Sequence, residues 1–89
     1  MITKDILSEA TRLVGADRER DYGDKGENHN NIAKLWSAYL DVKIEAHDVA
    51  IMMALLKVAR TKLGAVSKDT YIDMSAYSAI AGEIKWRKK

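Results

Sequence analysis

The sequence contains no cysteine, no proline and no phenylalanine among its 89 residues. Without cysteine, the chain has neither a disulfide nor a thiolate metal site. Its large aromatic side chains are all tyrosine and tryptophan, which carry polar groups that need partners when buried. A chain of this length is expected to form one domain, residues 1–89. Helical chains this small and without crosslinks often gain core by self-association, so we expect a homo-oligomer.

Long apolar runs and a strong excess of one charge are also missing. No stretch approaches the roughly 18 apolar residues of a membrane helix, and Asp5 and Glu9 interrupt any signal-peptide pattern. We therefore expect a cytoplasmic protein without a membrane partner. Fifteen basic side chains balance 13 acidic ones, for a net charge of +2, which disfavours a dedicated nucleic-acid binder.

The positive excess is concentrated at the end of the chain. Five residues form this basic tail: Lys85, Trp86, Arg87, Lys88 and Lys89. Cations at the last turn of a helix complement the negative end of its dipole, so the tail is readily explained as a solvated helix end. Contact with an anion or with nucleic acid is the alternative.

Apolar residues recur with a helical period in four segments, which predicts an all-α, four-helix domain that forms a bundle on association. The predicted helices run from about Thr3 to Val14, Asn28 to Leu40, Ala46 to Leu63 and Asp69 to the end of the chain. The third is apolar on nearly every side, so we expect it at the centre of the fold. Its short link to the fourth predicts an antiparallel helical hairpin.

One acidic residue, Asp73, lies near the middle of the apolar stripe of the fourth helix. Burying its carboxylate is costly unless a cation or hydrogen-bond donors meet it. The hairpin predicts Arg60 beside Asp73 and Lys57 one turn away. This group is either a buried ion pair that fixes helix register or a site where the two cations hold a phosphate. In the second interpretation, Asp69 and Tyr77 also line the ligand site.

An acidic pair, Glu45 and Asp48, begins the third helix with a spacing that puts both carboxylates on one face. The helix dipole alone favours acids there. Alternatively, the pair binds Mg²⁺ beside a phosphate, with further carboxylates from Asp69 and Asp73. The hairpin also predicts that Asp48 lies near Arg87.

Residues 16–26 form the one long stretch without an apolar period. Loops of this length inside a small domain are usually functional or mobile, although a plain connection is the alternative. The stretch leads into a helix start, whose free N–H groups attract anions. Tyr22 is a candidate platform for stacking a base. Arg20, Asp24 and Asn28 complete the candidate ligand-binding residues of this region.

Three runs of the chain resemble a family of small phage and prophage proteins with no settled activity. The runs are Tyr22-Gly23-Asp24 to Glu27-Asn28 with Ile32-Ala33-x-Leu35-Trp36-Ser37-Ala38-Tyr39-Leu40; Asp48-Val49-Ala50-x-Met52-Met53-x-Leu55-Leu56-Lys57-x-Ala59-Arg60; and Asp69-x-Tyr71-Ile72-Asp73-x-x-x-Tyr77. The resemblance implies a phage origin, a helical fold and a location in the host-cell cytoplasm.

A weaker resemblance links Glu45-x-x-Asp48 and the apolar run after it to the all-helical nucleotide pyrophosphohydrolases. Those enzymes also carry an EExxE motif on the preceding helix. At that place this chain offers only Glu27, followed by Asn28, His29, Asn30 and Asn31. The departure removes most of the magnesium cage that the resemblance implies.

These observations predict a phage-encoded binder of a phosphate-bearing nucleotide, in the form of a non-catalytic sponge that sequesters a host immune signal. Lys57 and Arg60 would hold the phosphate, and Asp73 would orient Arg60 or accept a hydrogen bond from the ligand. No cofactor is expected. One alternative is a Mg²⁺-dependent nucleotide pyrophosphohydrolase. The other is a protein-interaction inhibitor of a host defence enzyme, with an exposed patch around Trp36 or Trp86.

Overall fold

The structure is a computed structural model that describes residues 2–15, 24–64 and 67–87. Four helices form the described part of the chain: α1 Ile2–Leu13, α2 Lys25–Leu40, α3 Ala46–Leu63 and α4 Lys68–Trp86. The predicted all-α, four-helix fold is confirmed. No described helix is long and apolar enough to cross a membrane.

Helix α2 begins about one turn earlier than the apolar pattern predicts. Asp24 occupies its N-cap, and the side chain accepts a 3.0 Å hydrogen bond from the backbone N–H of Glu27. An acid at the N-cap satisfies one of the free donors of the first turn, so Lys25 and Gly26 join the helix. The helix ends at Asp41, which adopts a left-handed conformation with φ of 55°.

Helix α3 has the predicted bounds because both of its ends are specified locally. A capping box begins it, in which Asp48 Oδ2 accepts from the Glu45 N–H at 3.0 Å while the Glu45 side chain accepts from the N3 backbone. Gly64 ends it and donates its N–H to the Arg60 carbonyl at 3.2 Å. The acidic pair therefore has a structural role at the helix start.

Helices α3 and α4 make the most extensive helix–helix contact, in agreement with the predicted hairpin. Helix α1 packs on α4, and α2 packs mainly on α3. In the α1–α4 contact, Ala10 meets Ile72 and Ala76, with partly buried Ile6 and Leu13 around them. This order of helices places the N-terminal half of α2 close to the C-terminal end of α4.

Small side chains make up most of the core. Within the described ranges, the buried apolar residues are Val49, Ile72 and five alanines. Larger side chains on α3 remain exposed, including Ile51, Leu55 and Val58 at 44%, 59% and 44%. The prediction that α3 lies at the centre of the fold is therefore wrong, because α2 and α4 cover only one side of it.

Candidate functional site

The acid on the stripe of α4 forms an ion pair with α3. Lys57 Nζ lies 3.2 Å from Asp73 Oδ2, and the two side chains are 14% and 34% exposed. The prediction of Arg60 as the partner is wrong, because the helices meet one turn away from the expected register and leave Arg60 exposed. Asp73 is also less buried than its position on the stripe implies.

This ion pair matches the structural interpretation of the α3–α4 cluster. The charge of Lys57 is compensated by Asp73, so it is less available to an added phosphate. Asp69 is exposed and Tyr77 is half-buried on the same helix. Arg60 is thus the cation of this group that faces solvent, and ligand binding here remains a prediction.

A separate cleft of about 750 Å³ opens where α2, the start of α3 and the end of α4 meet. Its lining residues are Gly26, Asn30, Ala33, Lys34, Ser37, Lys43, Ile44, Glu45, Ala46, His47, Ile84, Lys85 and Arg87. Four of them are basic and one is acidic, whereas the whole chain has 15 basic and 13 acidic residues. We call this feature the lysine cleft.

Three lysines supply the available positive charge of the lysine cleft. Lys34 comes from α2, Lys43 from the link before α3 and Lys85 from the last turn of α4. All three side chains are exposed, and none forms an ion pair with another described residue. Three cations that line one cleft and have no ion-pair partner among the described residues create a positive potential there, which attracts an anion.

The fourth cation, Arg87, is held by acidic side chains instead. Its guanidinium donates to Glu83 at 2.7 Å and to Asp24 at 3.3 Å. Gly26 makes room for this contact, since a Cβ there would lie 2.5 Å from Arg87 Nη1. Arg87 therefore joins the end of α4 to the start of α2, and we call Arg87, Glu83 and Asp24 the clamp. Asp48, which was predicted to lie near Arg87, is not among its ion-pair partners.

The clamp perturbs the titration of its members. The pKa of Asp24 is lowered, first by the hydrogen bond from the Glu27 N–H and further by the charge of Arg87. The pKa of Arg87 is raised, chiefly by the charge of Asp24. Both shifts favour the charged forms, so the clamp persists at neutral pH.

The link that carries Lys43 is pinned by a half-buried serine. Ser37 Oγ accepts the Ile44 N–H at 2.8 Å and donates to the Ile44 carbonyl at 3.1 Å. One hydroxyl thus satisfies both backbone groups of Ile44. The wall of the cleft beside α3 is consequently built on a fixed turn.

Three metal-ligating side chains meet at the rim of the cleft. Glu45, His47 and Asp48 place ligand atoms within 4.8 Å of one another, and His47 Nε2 lies 3.3 Å from Asp48 Oδ1. The capping box already uses the two carboxylates. Asp73 packs beside Lys57, about 13 Å further along the axis of α3 by helical rise. The four carboxylates of the predicted magnesium site therefore do not converge.

Two predicted ligand-binding residues, Arg20 and Tyr22, lie outside the described residues. Asp24 reaches the edge of the cleft through Arg87, and Asn28 is exposed on α2. Sequence reasoning missed Lys34 and Lys43 entirely. Only Lys85 was part of a pattern visible in the sequence, the basic tail. No local pattern indicates that residues of three separate elements line one cleft.

Comparison with known proteins agrees with the phage resemblance. A family described as "Domain of unknown function (DUF6378)" matches residues 5–85. The Gene 55 protein of Mycobacterium phage L5 is 42% identical over 76 residues, which are 84% of this chain and 49% of that protein. The Gene 55 protein of Mycobacterium phage D29 is 39% identical over 83 residues, 93% of this chain and 55% of that protein.

The chain thus spans about half the length of the curated relatives that it matches. No solved structure matches it. The predicted likeness to a phage protein family is confirmed, whereas no likeness to the nucleotide pyrophosphohydrolases is shown.

Proposed function

Because this chain belongs to the DUF6378 family, with phage proteins as its curated relatives, we propose that it is a phage-encoded protein that binds a phosphate-bearing nucleotide. The binding site is the lysine cleft. The observation that supports this most directly is that Lys34, Lys43 and Lys85 line one cleft and form no ion pair with a described residue.

The size and the charge of the cleft both suit such a ligand. Small-molecule sites usually measure about 300–1,000 Å³, and the cleft holds about 750 Å³. Lysine binds phosphate as a flexible point charge, and three of them match a di- or triphosphate or two separate phosphates. The lining mixes charged and polar side chains with Ala33, Ile44 and Ile84, which suits a ligand that has both a phosphate and a base.

Neutral groups in the cleft supply contacts for the rest of the ligand. Asn30 and His47 line it and can donate or accept hydrogen bonds to a sugar or a base. Tyr22 lies outside the described residues, and we keep it as the proposed stacking residue for the base.

Binding without hydrolysis is the favoured version of this function. A magnesium-dependent pyrophosphohydrolase needs several converging carboxylates, and Asp73 is engaged with Lys57 away from Glu45 and Asp48. A phage protein that holds a nucleotide intact sequesters it. We propose a host nucleotide immune signal as the biological ligand, acting in the host-cell cytoplasm.

A ligand panel tests the proposal. Purified protein is screened by thermal shift against nucleoside mono-, di- and triphosphates, linear and cyclic dinucleotides, and inorganic phosphate, each with and without Mg²⁺. We expect a nucleotide to raise the melting temperature, and chromatography after heat denaturation to recover it unchanged. New products would show an enzyme instead, and the absence of a shift with every nucleotide would contradict the proposal.

Matched variants assign the site. The triple variant Lys34→Ala/Lys43→Ala/Lys85→Ala removes the cleft lysines. The control Lys4→Ala/Arg12→Ala/Lys68→Ala removes three other exposed cations and changes the net charge equally. We expect the first to weaken nucleotide binding at least 100-fold and the second to change it less than threefold. Equal losses would mean that only net charge matters.

A further inference from the structure

The outer side of α3 carries an apolar surface that no described element covers. Its members lie on one face by helical angle and are exposed: Ile51, Met52, Leu55, Val58 and Ala59. The core side of the same helix holds Val49, Ala50 and Lys57. We call the exposed side the outer α3 face.

Large apolar side chains are exposed on this face, while small ones fill the core. Leu55 is 59% exposed and Ile51 and Val58 are each 44% exposed, while alanines fill most of the described core. Large aliphatic residues are normally the most buried ones. A contiguous patch of this kind on a small domain marks an interaction surface.

We propose that the outer α3 face binds a second copy of this chain, with the two α3 helices antiparallel about a two-fold axis at Leu55. In that register, Ile51 of one copy faces Ala59 of the other, and Met52 faces Val58. Large residues thus oppose smaller ones along the contact, and Leu55 meets its own equivalent at the axis.

The charges at the ends of the face fit the same register. The pairing that aligns the apolar residues also sets Asp48 of each copy opposite Lys62 of the other. Asp48 lies on the outer side of α3 with a side chain 45% exposed, and Lys62 is exposed. One Asp48–Lys62 ion pair therefore forms at each end of the contact. A parallel pairing would instead place Asp48 beside Asp48 and Lys62 beside Lys62.

The area is adequate for a weak to moderate dimer. Packing two such faces together removes on the order of 1,000 Å² of surface from water, which is near the lower limit for a specific interface. The exposed Leu56 beside the face extends it. We therefore expect a dimer that dissociates in the micromolar range rather than an obligate one.

Analytical ultracentrifugation over a range of concentrations tests this interface. The wild-type chain should form dimers, and Leu55→Glu should weaken them at least 100-fold because two carboxylates would meet at the axis. Leu35→Glu is the control, since Leu35 is 64% exposed on α2, and it should leave the dimer unchanged. A monomeric wild type, a dimer that survives Leu55→Glu, or equal loss in Leu35→Glu would each overturn the proposal.

A second variant keeps the test valid if Leu55→Glu fails to fold. The chain has no cysteine, so a disulfide in Leu55→Cys forms only between copies. Mild oxidation should crosslink Leu55→Cys into a covalent dimer and leave Leu35→Cys monomeric. Failure of Leu55→Cys to crosslink would show that Leu55 does not lie on the axis, and the antiparallel pairing would be wrong. Neither result depends on nucleotide binding, so this proposal and the proposed function fail independently.

Discussion

At the scale of single residues, the Lys57–Asp73 ion pair connects the two longest helices. Lys57 is only 14% exposed, so its ammonium depends on the carboxylate 3.2 Å away. We expect Asp73→Ala to lower the free energy of unfolding by roughly 1–3 kcal/mol, less than a fully buried pair would cost, because Asp73 is partly solvated. Urea denaturation measures the change.

A double-mutant cycle provides the control for that prediction. Lys57→Met keeps the aliphatic stem and removes the charge, so Asp73→Ala should cost less in the Lys57→Met background than in the wild type. Purely additive effects would mean that the pair contributes nothing. If Asp73→Ala instead folds normally and loses nucleotide binding, the α3–α4 cluster is the ligand site.

Asp24 is a residue whose pKa should depart measurably from its ordinary value. Its folded pKa is lowered, mainly by the Glu27 N–H and further by Arg87. The ionised Asp24 carboxylate therefore stabilises the fold at pH values above its unfolded pKa of about 4. This stabilisation is lost as the pH falls through the pKa of Asp24 in the folded protein. NMR titration of the carboxyl carbons should show the Asp24 pKa below that of an exposed aspartate.

The Arg87→Ala variant separates the two causes. The Asp24 pKa should rise in this variant but stay below its ordinary value, because the larger cause, the backbone hydrogen bond, remains. An Asp24 that titrates normally in the wild-type protein would show that the N-cap of α2 is not formed in solution.

Ionisable residues also show what a sequence can predict at this scale. The stripe of α4 correctly indicated that Asp73 needs a cation from α3. It could not decide between Lys57 and Arg60, because the two lie within one turn and a shift of one turn in the hairpin exchanges them. Periodicity specifies the face of a helix but not its register against a neighbour.

At the scale of elements, the turn between α2 and α3 depends on one hydroxyl. Ser37→Ala leaves the N–H and carbonyl of Ile44 without their partner. We expect a loss of about 1–2 kcal/mol of stability, together with weaker nucleotide binding because the turn carries Lys43. Urea denaturation and calorimetric titration measure the two effects.

Ser75→Ala is the matched control for that prediction. The Ser75 hydroxyl donates only to the Tyr71 carbonyl within α4, at 3.0 Å, and alanine is the better helix former. Its stability should be unchanged or slightly higher. A similar loss in both variants would contradict the role of Ser37 in holding the turn.

The helix bounds were predictable wherever a local signal marked them. Glu45, Asp48 and Gly64 specify the ends of α3, and the apolar pattern located the helix correctly between them. The apolar period alone places the start of α2 at about Asn28, one turn later than the observed start at Lys25. Asp24 and Glu27 stand three residues apart at the true start, which is a spacing typical of an N-cap, and it would have located the helix.

At the scale of the whole molecule, the lysine cleft exists only after the chain has folded. Lys34 and Lys43 come from α2 and the link directly after it, whereas Lys85 comes from the end of α4, far from both in the sequence. Helical periodicity describes each element separately, so it does not predict which residues of different elements line the same cleft. The number and type of helices were accessible from the sequence, whereas the best candidate site required their arrangement.

Salt dependence follows from this architecture. Three solvated lysines attract a phosphate mainly through charge, which dissolved salt screens. Between about 50 and about 300 mM NaCl the Debye length shortens from about 14 to about 6 Å. Nucleotide affinity, measured by calorimetric titration, should therefore fall severalfold over this range. An affinity independent of salt would indicate a neutral or stacked contact in place of the lysines.

The position of the bound nucleotide distinguishes the lysine cleft from the α3–α4 cluster as the binding site. Backbone amide shifts of the labelled protein are followed by NMR while the nucleotide that gives the largest thermal shift is added. We expect the largest changes around Lys34, Lys43 and Lys85. Changes concentrated instead at Lys57, Arg60 and Asp73, or the absence of changes with every nucleotide tested, would contradict this expectation.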